Sequence, residues 1–502
     1  MNQIKNQQLI IMKKIIKHIT LLMLMSLVII NLTACSEDDE KTDKKELTVN
    51  PTSLEFTSGG GYKVINISAD SSIDWEIINS ADWCSFSKVS SNGSHSINVF
   101  IEENEYEEIR TTTVQVSTAN KAIDINITQA AAEVEEEVEE EEEEETVEVT
   151  IPDDSSNMSS MTAIEVVENM GVGWNIGNSL EAIGGETAWG NPLVTQELID
   201  AIKDAGFNAV RIPVAWSNFS DADNYIIRSS WMERVETVVN YALNNDMYVV
   251  MNIHWDGGWM QPTYDQQEYV NNRLEIMWQQ IAIHFRDYDH HLLFAGTNEV
   301  MVEGDYGTPT EEYYTVQNSF NDTFVNTVRA TGGRNAYRYL VFQGFNTNID
   351  HAVNFATIPD DTVDNRLVME IHYYDPYDFT LNEGNDTIWQ WGANATDPDA
   401  TQTWANEAYA DAQFEKMKTN FVDQNIGVIL GEYGVISRTN VDGNEAFRED
   451  YLRYITQSAI NHQIAPFYWD NGVLENHSMG LFNRSTGEQA YPDLIDAITN
   501  LE

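Results

Sequence analysis

The chain has 502 residues, 42% of them hydrophobic and 11% aromatic, a composition that supplies globular cores for two or three domains. Its formal net charge is −54. From residue 158 to the end, 16 Lys and Arg stand against 50 Asp and Glu. Nucleic acids and acidic polysaccharides are bound through positive charge, so this excess of carboxylates argues against both and favours a neutral partner.

Residues 1–34 have the pattern of a bacterial targeting segment. Several lysines precede the nearly uncharged residues 19–32, a run as long as a signal-peptide core but short for a membrane-spanning helix. The run closes with Leu32-Thr-Ala-Cys35, which resembles a lipobox, the site at which a lipoprotein is cleaved and lipidated. We therefore predict a lipoprotein signal peptide over 1–34, lipidation of Cys35 and anchoring in the outer membrane.

Residues 35–45 are predicted to form an acidic tether behind that anchor. The run Ser36-Glu-Asp-Asp-Glu40 resembles the surface-export signal of Bacteroidetes lipoproteins, so exposure at the cell surface is expected. A plain solvated spacer is the alternative. With Cys35 lipidated, Cys84 has no disulfide partner and the fold must rest on its hydrophobic cores.

Residues 46–130 show only strand patterns. Short alternating segments separated by Gly, Asn and Ser predict a small all-β sandwich. Trp75, the triplet Ala81-Asp-Trp83, Asn104 and Arg110 resemble a BACON domain, a module often attached to Bacteroidetes carbohydrate enzymes. We predict a spacer with both tryptophans in its core, and glycan binding is the alternative. The predicted strands are 47–49, 63–67, 74–78, 96–101, 112–116 and 122–127.

Residues 131–157 are predicted to be a Glu-rich linker. Between residues 133 and 148 there are twelve glutamates and no cation. Like charges repel one another and keep such a segment extended, so no packed structure is expected there.

In residues 158–502 strand patterns alternate with helix patterns, which predicts a parallel sheet covered by helices. Eight such units predict a (β/α)8 TIM barrel, so the fold class is α/β, preceded by the small sandwich. The predicted strands are 172–177, 209–212, 248–254, 292–298, 339–344, 367–372, 427–432 and 465–469. The predicted helices are 195–205, 231–244, 268–285, 311–330, 404–423 and 444–461.

Two of the predicted strands lead into a glutamate, Glu299 after the fourth and Glu432 at the end of the seventh. In a TIM barrel the carboxyl ends of the strands meet at the active site. Two carboxyl groups brought together there can hydrolyse a glycosidic bond. The other strand ends carry polar or aromatic side chains, which are Asn175, Arg211, His254, Asn298, His372, Tyr374 and Trp469.

These motifs resemble glycoside hydrolase family 5, a retaining family, over essentially all of residues 158–502. The opening residues 170–180 resemble its subfamily 4, which contains endoglucanases and xyloglucanases. Two positions depart from the family pattern: Val300 replaces a usual proline, and Trp255 replaces the second of two histidines. The matching motifs are Arg211-Ile-Pro-Val-Ala-Trp216, Asn252-Ile-His254, Asn298-Glu299, Ile371-His-Tyr-Tyr374, Gly431-Glu-Tyr-Gly434 and Trp469.

The resemblance implies that Glu299 is the catalytic acid/base and Glu432 the nucleophile. We expect the pKa of Glu299 to be raised by the neighbouring carboxylate and by partial burial. Glu432 must stay ionised, and Arg211 and Tyr374 are expected to hold it so.

The remaining strand-end residues are expected to bind or support the sugar. Asn298 is expected to hydrogen-bond the sugar 2-OH, and Trp469 offers an apolar face to the pyranose ring. His254 and His372 are expected to position the sugar, with Asn175 in support. Six further tryptophans, either groove residues or loop anchors, are Trp189, Trp255, Trp259, Trp389, Trp391 and Trp404.

The predicted function is a retaining endo-β-1,4-glucanase acting on cellulose-like, mixed-linkage or xyloglucan chains. The alternatives are an endo-β-mannanase on the same barrel and a non-catalytic, glycan-capturing surface lipoprotein. No cofactor is expected, and no metal, because His254 and His372 lack further ligands in the right spacing. The expected partners are a neutral β-linked polysaccharide and the outer membrane, without nucleic acid, and the barrel is expected to be monomeric.

Overall fold

The computed structural model describes residues 47–132 and 151–501, except residues 82, 87, 105, 107 and 223. The predicted signal peptide, Cys35, the acidic tether and the glutamate block therefore lie outside the described residues. Within the described ranges, no helix combines the length and the apolar character needed to cross a membrane.

Residues 47–132, as far as they are described, form two β-sheets. The strand order is β1-β3-β7-β5 in one sheet and β2-β9-β8-β4-β6 in the other. The all-β sandwich is thus confirmed, and three strands absent from the prediction, β2, β5 and β6, are too short to show a clear alternation. The strands are β1 Thr48–Asn50, β2 Ser53–Phe56, β3 Gly61–Ser68, β4 Asp74–Ile78, β5 Cys84–Phe86, β6 Ser90–Asn92, β7 His95–Ile101, β8 Arg110–Ser117 and β9 Ala122–Gln129.

The tryptophans of this sandwich serve its core, as predicted. Trp75 is 2% exposed, and its Nε1 donates a hydrogen bond of 2.8 Å to the Gly93 carbonyl. Trp83 is half-buried under Arg110, whose guanidinium carbon lies 4.5 Å from the ring centre. Cys84 is a buried free thiol in the same core.

Residues 151–501 contain a closed barrel of parallel strands in sequence order, which confirms the TIM barrel. The third and fourth strands end earlier than predicted, so His254, Asn298 and Glu299 stand on the loops just beyond them. The strands are β10 Gly173–Ile176, β11 Ala209–Ile212, β12 Tyr248–Asn252, β13 Leu292–Ala295, β14 Leu340–Gln343, β15 Leu367–Tyr373, β16 Gly427–Tyr433 and β17 Ile464–Asp470.

The helices cover the outside of the barrel, and side-chain caps mark several of their starts. Thr195 accepts from the Leu198 amide, and Thr310 accepts from the Tyr313 amide. The described helices are α1 Ala163–Met170, α2 Gln196–Asp204, α3 Ser229–Leu243, α4 Tyr264–His284, α5 Glu311–Ala330, α6 Ile349–Phe355, α7 Tyr377–Thr380, α8 Glu407–Asn420, α9 Asn444–Asn461 and α10 Pro492–Thr499.

Helix α1 was not predicted, and it closes the amino-terminal end of the barrel. A reciprocal pair of hydrogen bonds between Thr162 and Glu165 caps its start. Its buried face, which includes Val166 and Met170, joins the cluster formed by inward side chains of the strands. That end of the barrel is therefore filled with apolar side chains, and the open polar end is the carboxyl end of the strands.

Candidate active site

Arg211, at the end of β11, is the centre of the polar cluster at the carboxyl ends of the strands. Its side chain is fully buried. Nη1 donates hydrogen bonds of 3.0 Å to Asn175 and to Glu432, and Nη2 donates one of 2.5 Å to Asn298. On its other side, Nε lies 2.7 Å from a carboxylate oxygen of Glu370. One guanidinium thus fixes residues from the first, fourth, sixth and seventh strands or their loops.

Glu432 lies in β16, the seventh barrel strand, and its side chain is only 7% exposed. One carboxylate oxygen accepts from Arg211, and the other accepts a hydrogen bond of 3.2 Å from the Tyr374 hydroxyl. Burial raises the pKa of Glu432, and the positive charges of His372 and Arg211 offset only part of that increase. Arg211 and Tyr374 therefore contact the predicted nucleophile as expected, but the expectation that they hold its pKa down is wrong, because burial outweighs them.

Glu299 projects into the cleft from a strained backbone. Its φ angle is +46°, a left-handed conformation that is uncommon for a residue with a side chain. The amide donates a hydrogen bond of 3.2 Å to the side-chain oxygen of Gln343, which holds this conformation in place. The side chain is 40% exposed, so its carboxyl group is accessible to a ligand while Glu432 lies deeper.

His372 links the two glutamates to a third carboxylate. Its Nδ1 lies 2.7 Å from Glu299 and 3.7 Å from Glu432, and its Nε2 lies 3.3 Å from Glu370. An imidazole with carboxylates at both nitrogens is best satisfied when both nitrogens donate. Although burial opposes the charge, Glu432 and the hydrogen bonds to Glu299 and Glu370 raise the pKa of His372 to about 9.

This imidazolium overturns the expectation that the pKa of Glu299 is raised. Burial does act in that direction, but the hydrogen bond and the charge of His372, together with Arg211, outweigh it and lower the pKa of Glu299. The raised pKa belongs to Glu432 instead. His372 contacts both Glu299 and Glu432, so a proton gained or lost by one of the three changes the charge that acts on the other two.

The distance between the carboxyl groups of Glu299 and Glu432 distinguishes a retaining from an inverting mechanism. A carboxylate oxygen of Glu299 lies within 4.8 Å of one of Glu432. Retaining glycosidases hold their two carboxyl groups about 5–5.5 Å apart, whereas inverting enzymes leave room for a water between them. The spacing therefore fits direct attack by Glu432 on a sugar. The His372 ring shares this cluster and its spacing would also suit a cation, but the guanidinium bonded to Glu432 fits an acid–base pair better.

The remaining predicted residues surround this pair. The rings of His254 and Trp469 are stacked, with centres 5.8 Å apart and an angle of 10°. Burial and the nearby charge of Arg211 place the pKa of His254 well below its usual value, so this ring is neutral. Asn175 is fully buried and donates a hydrogen bond of 2.8 Å to the Gly431 carbonyl, which makes it a support for Arg211.

Sequence reasoning missed Gln343 and Glu370. The side-chain amide of Gln343 donates a hydrogen bond of 2.8 Å to Glu370, which is fully buried. Glu370 precedes His372 by two residues in β15, so both side chains project from the same face of that strand. A carboxylate inside an otherwise apolar strand run was the signal that could have revealed it.

The tryptophans of the loops divide into two groups. Trp391 is buried and donates to the Ala405 carbonyl, and Trp259 donates to Asp256, so both anchor loops. Trp389 packs edge-on against Phe447, with ring centres 5.6 Å apart. About half of the residue surface is exposed in Trp189, Trp255 and Trp404.

Comparison with known proteins agrees with this geometry. The model of the cellulase family, glycosyl hydrolase family 5, matches residues 175–474. The chain belongs to this family. It is a glycoside hydrolase, as predicted, and the family 5 barrel is preceded by a region, residues 46–132, that matches a viral BACON domain model.

Three relatives illustrate the similarity, and two of them cover more than nine-tenths of this chain. The xyloglucan-specific endo-β-1,4-glucanase BoGH5A of Bacteroides ovatus is 40% identical over 485 residues, which cover 93% of each chain. A solved Bacteroides ovatus GH5 xyloglucanase in complex with a XXXG heptasaccharide has a TM-score of 0.67 and 39% identity, and covers 91% of this chain and 99% of its own. A family 5 xyloglucanase from Paenibacillus pabuli has a TM-score of 0.65 and 41% identity over 67% of this chain and 99% of its own.

Proposed function

We propose that this family 5 enzyme is a retaining endo-β-1,4-glucanase with xyloglucan as its preferred substrate. The observation that carries the proposal is the pair of carboxylates within 4.8 Å, with Arg211 bonded to the deeper one.

In the first half of the reaction, Glu432 attacks the anomeric carbon and the glycosidic C–O bond breaks. Arg211 and Tyr374 each donate a hydrogen bond to one oxygen of the Glu432 carboxylate and so orient it for the attack. The departing sugar oxygen takes a proton from Glu299, and a glycosyl-enzyme ester forms on Glu432. Asn298 has its amide oxygen fixed by Arg211, which leaves its amide N–H groups to donate to the sugar.

In the second half, Glu299 removes a proton from water, and the water oxygen replaces Glu432 at the anomeric carbon. The hydrogen bond from His372 favours the charged form of Glu299, which is the form this step needs. For the first half, the same hydrogen bond places a proton between His372 Nδ1 and a Glu299 carboxylate oxygen, atoms 2.7 Å apart, so the proton is within reach for transfer to Glu299. His372 therefore serves both halves of the cycle.

The choice of xyloglucan rests on the relatives, on the charge of the chain and on exposed tryptophans in the loops that follow barrel strands. All three relatives named above are xyloglucanases, and one of them was solved with a XXXG heptasaccharide. Xyloglucan is neutral, so the acidic surface does not repel it. Trp189, Trp255 and Trp404 are about half exposed in loops that follow barrel strands, where they offer apolar surface to a glucan chain.

Reducing-sugar release from a substrate panel tests the proposal. We expect the highest kcat/KM on xyloglucan, lower values on mixed-linkage glucan and soluble cellulose derivatives, and no release from mannan. A preference for mannan would instead support the mannanase alternative. Binding without release from any polysaccharide would support the glycan-capture alternative.

We also propose that the enzyme is an outer-membrane lipoprotein exposed at the cell surface. The support is the lipobox ending at Cys35 and the acidic run behind it. Cys35→Ala is expected to move the protein from the membrane fraction to the soluble fraction, while the matched Cys84→Ala stays with the membrane. Equal membrane association of both variants in fractionated cells contradicts lipidation of Cys35.

A further inference from the structure

Three carboxylates, rather than two, meet the cations of the active site. Glu370 is fully buried and does not line the cleft, yet it contacts both cations that act on the reacting pair. Its Oε1 lies 2.7 Å from Arg211 Nε and 3.3 Å from His372 Nε2. Its other oxygen accepts from Gln343. Burying a carboxylate is unfavourable unless it is paired and hydrogen-bonded, and Glu370 meets that condition only through these contacts.

The backbone around Glu370 is shaped to admit this carboxylate. A Cβ atom at Gly431 would overlap the carboxylate of Glu370, so only glycine fits beside it on the neighbouring strand. The next residue along that strand is the predicted nucleophile, Glu432. The position of Glu370 is therefore coupled directly to the strand that carries the attacking group.

We propose that Glu370 is a positioning residue, which holds Arg211 and His372 in the orientations that Glu432 and Glu299 require. Its ion pair with Arg211 Nε holds the guanidinium in place while Nη1 donates to Glu432. From His372 Nε2 it fixes the ring so that Nδ1 points at Glu299. Glu370 thus aligns Glu432 through Arg211. It aligns Glu299 through His372.

The same contacts make Glu370 part of the control of the His372 proton. The groups that face His372 are the carboxylates of Glu299, Glu370 and Glu432, with Arg211 bonded to the last two. His254 is also within electrostatic reach, but it is neutral. Because the pKa of His372 is raised to about 9, its proton is present below that pH and is lost as the pH rises through it. Removing the charge of Glu370 shifts that loss to lower pH.

The test compares Glu370→Gln and Glu370→Asp with the wild type on the β-glucan that the wild type cleaves fastest. For Glu370→Gln we expect kcat to fall by about 10–100-fold, the range for partners that orient active-site groups. KM should change by less than about threefold, because Glu370 does not contact the cleft. The alkaline limb of kcat/KM should move to lower pH by about one unit or more. Glu370→Asp keeps the negative charge, but its shorter side chain moves the carboxylate away from Arg211 and His372. We therefore expect kcat to fall while the alkaline limb stays near the wild-type position.

A matched control separates positioning from a general loss of stability. The carboxylate of Asp361 is also nearly buried, with its side chain 6% exposed, and it is bonded twice to Arg329 at 2.7 Å. Asp361 precedes β15, at the opposite end of the barrel. Asp361→Asn should lower the melting temperature without moving the alkaline limb. An alkaline limb that does not move in Glu370→Gln overturns the inference. If that variant does not fold, a kcat of Glu370→Asp within twofold of wild type overturns it alone.

The inference rests on the proposed hydrolytic function, and the two fail in different ways. A wild type that cleaves no polysaccharide contradicts the proposed function before any variant is compared. An active wild type whose Glu370 variants keep their kcat and their alkaline limb contradicts only the role of Glu370.

Discussion

Glu432→Ala is expected to lose activity on every substrate, by more than about 10⁴-fold in kcat, because no glycosyl-enzyme can form without the nucleophile. The loss should be the same for polysaccharides and for aryl glycosides with good leaving groups, since both need the attack at the anomeric carbon. Steady-state rates on xyloglucan and on an aryl β-cellobioside measure it.

The fold of Glu432→Ala must be shown to persist, because Arg211 and Tyr374 both lose a partner. Melting curves and the binding of xyloglucan oligosaccharides provide that check. Glu303→Ala is a suitable control, because Glu303 is exposed on the loop that carries Glu299 and should keep wild-type rates within twofold. Substantial turnover by folded Glu432→Ala on any substrate, with no added nucleophile such as azide, would assign the nucleophile to another residue.

Glu299→Ala is expected to separate substrates by their leaving groups. Loss of a general acid costs about 10²–10⁴-fold, so cleavage of xyloglucan should fall by that factor. Aryl glycosides of acidic phenols leave without a proton, so the first step should remain close to wild type and the glycosyl-enzyme should accumulate. A burst of phenol release followed by slow turnover, measured by stopped-flow absorbance, is the expected signature.

Glu299→Ala also changes the surroundings of His372. His372 Nδ1 donates to Glu299, and the variant removes that acceptor, leaving Glu432 3.7 Å away as the nearest other carboxylate at Nδ1. Equal losses on xyloglucan and on activated aryl glycosides would show that Glu299 is not the acid.

The barrel was predictable because its strands are apolar runs of the right length between amphipathic helices. All eight strand candidates overlap an observed strand. The errors lie where periodicity is too short to read, as in helices α6 and α7 and in the three-residue strand β5. Helix α1 carried a readable signal, the Thr162–Glu165 capping box, but its eight residues make only two turns.

The site was predictable as a set of residues, whereas its electrostatics were not. Strand ends place Arg211, Glu299 and Glu432 together once the barrel is assumed, because parallel strands end at one edge. The protonation of His372 depends on contacts with residues from three other positions, which no local pattern encodes. For that reason the lowered pKa of Glu299 was missed, and Glu370 was overlooked as an ordinary charged residue.

The stereochemistry of azide products from the two variants tests the assignment of roles most directly. In Glu432→Ala, azide can occupy the space of the missing carboxylate and attack from that side, so NMR should show an α-glycosyl azide. In Glu299→Ala, azide attacks the glycosyl-enzyme on Glu432, and two successive inversions should give a β-glycosyl azide. The account predicts this pairing, and the reverse pairing would contradict it by exchanging the roles of Glu299 and Glu432.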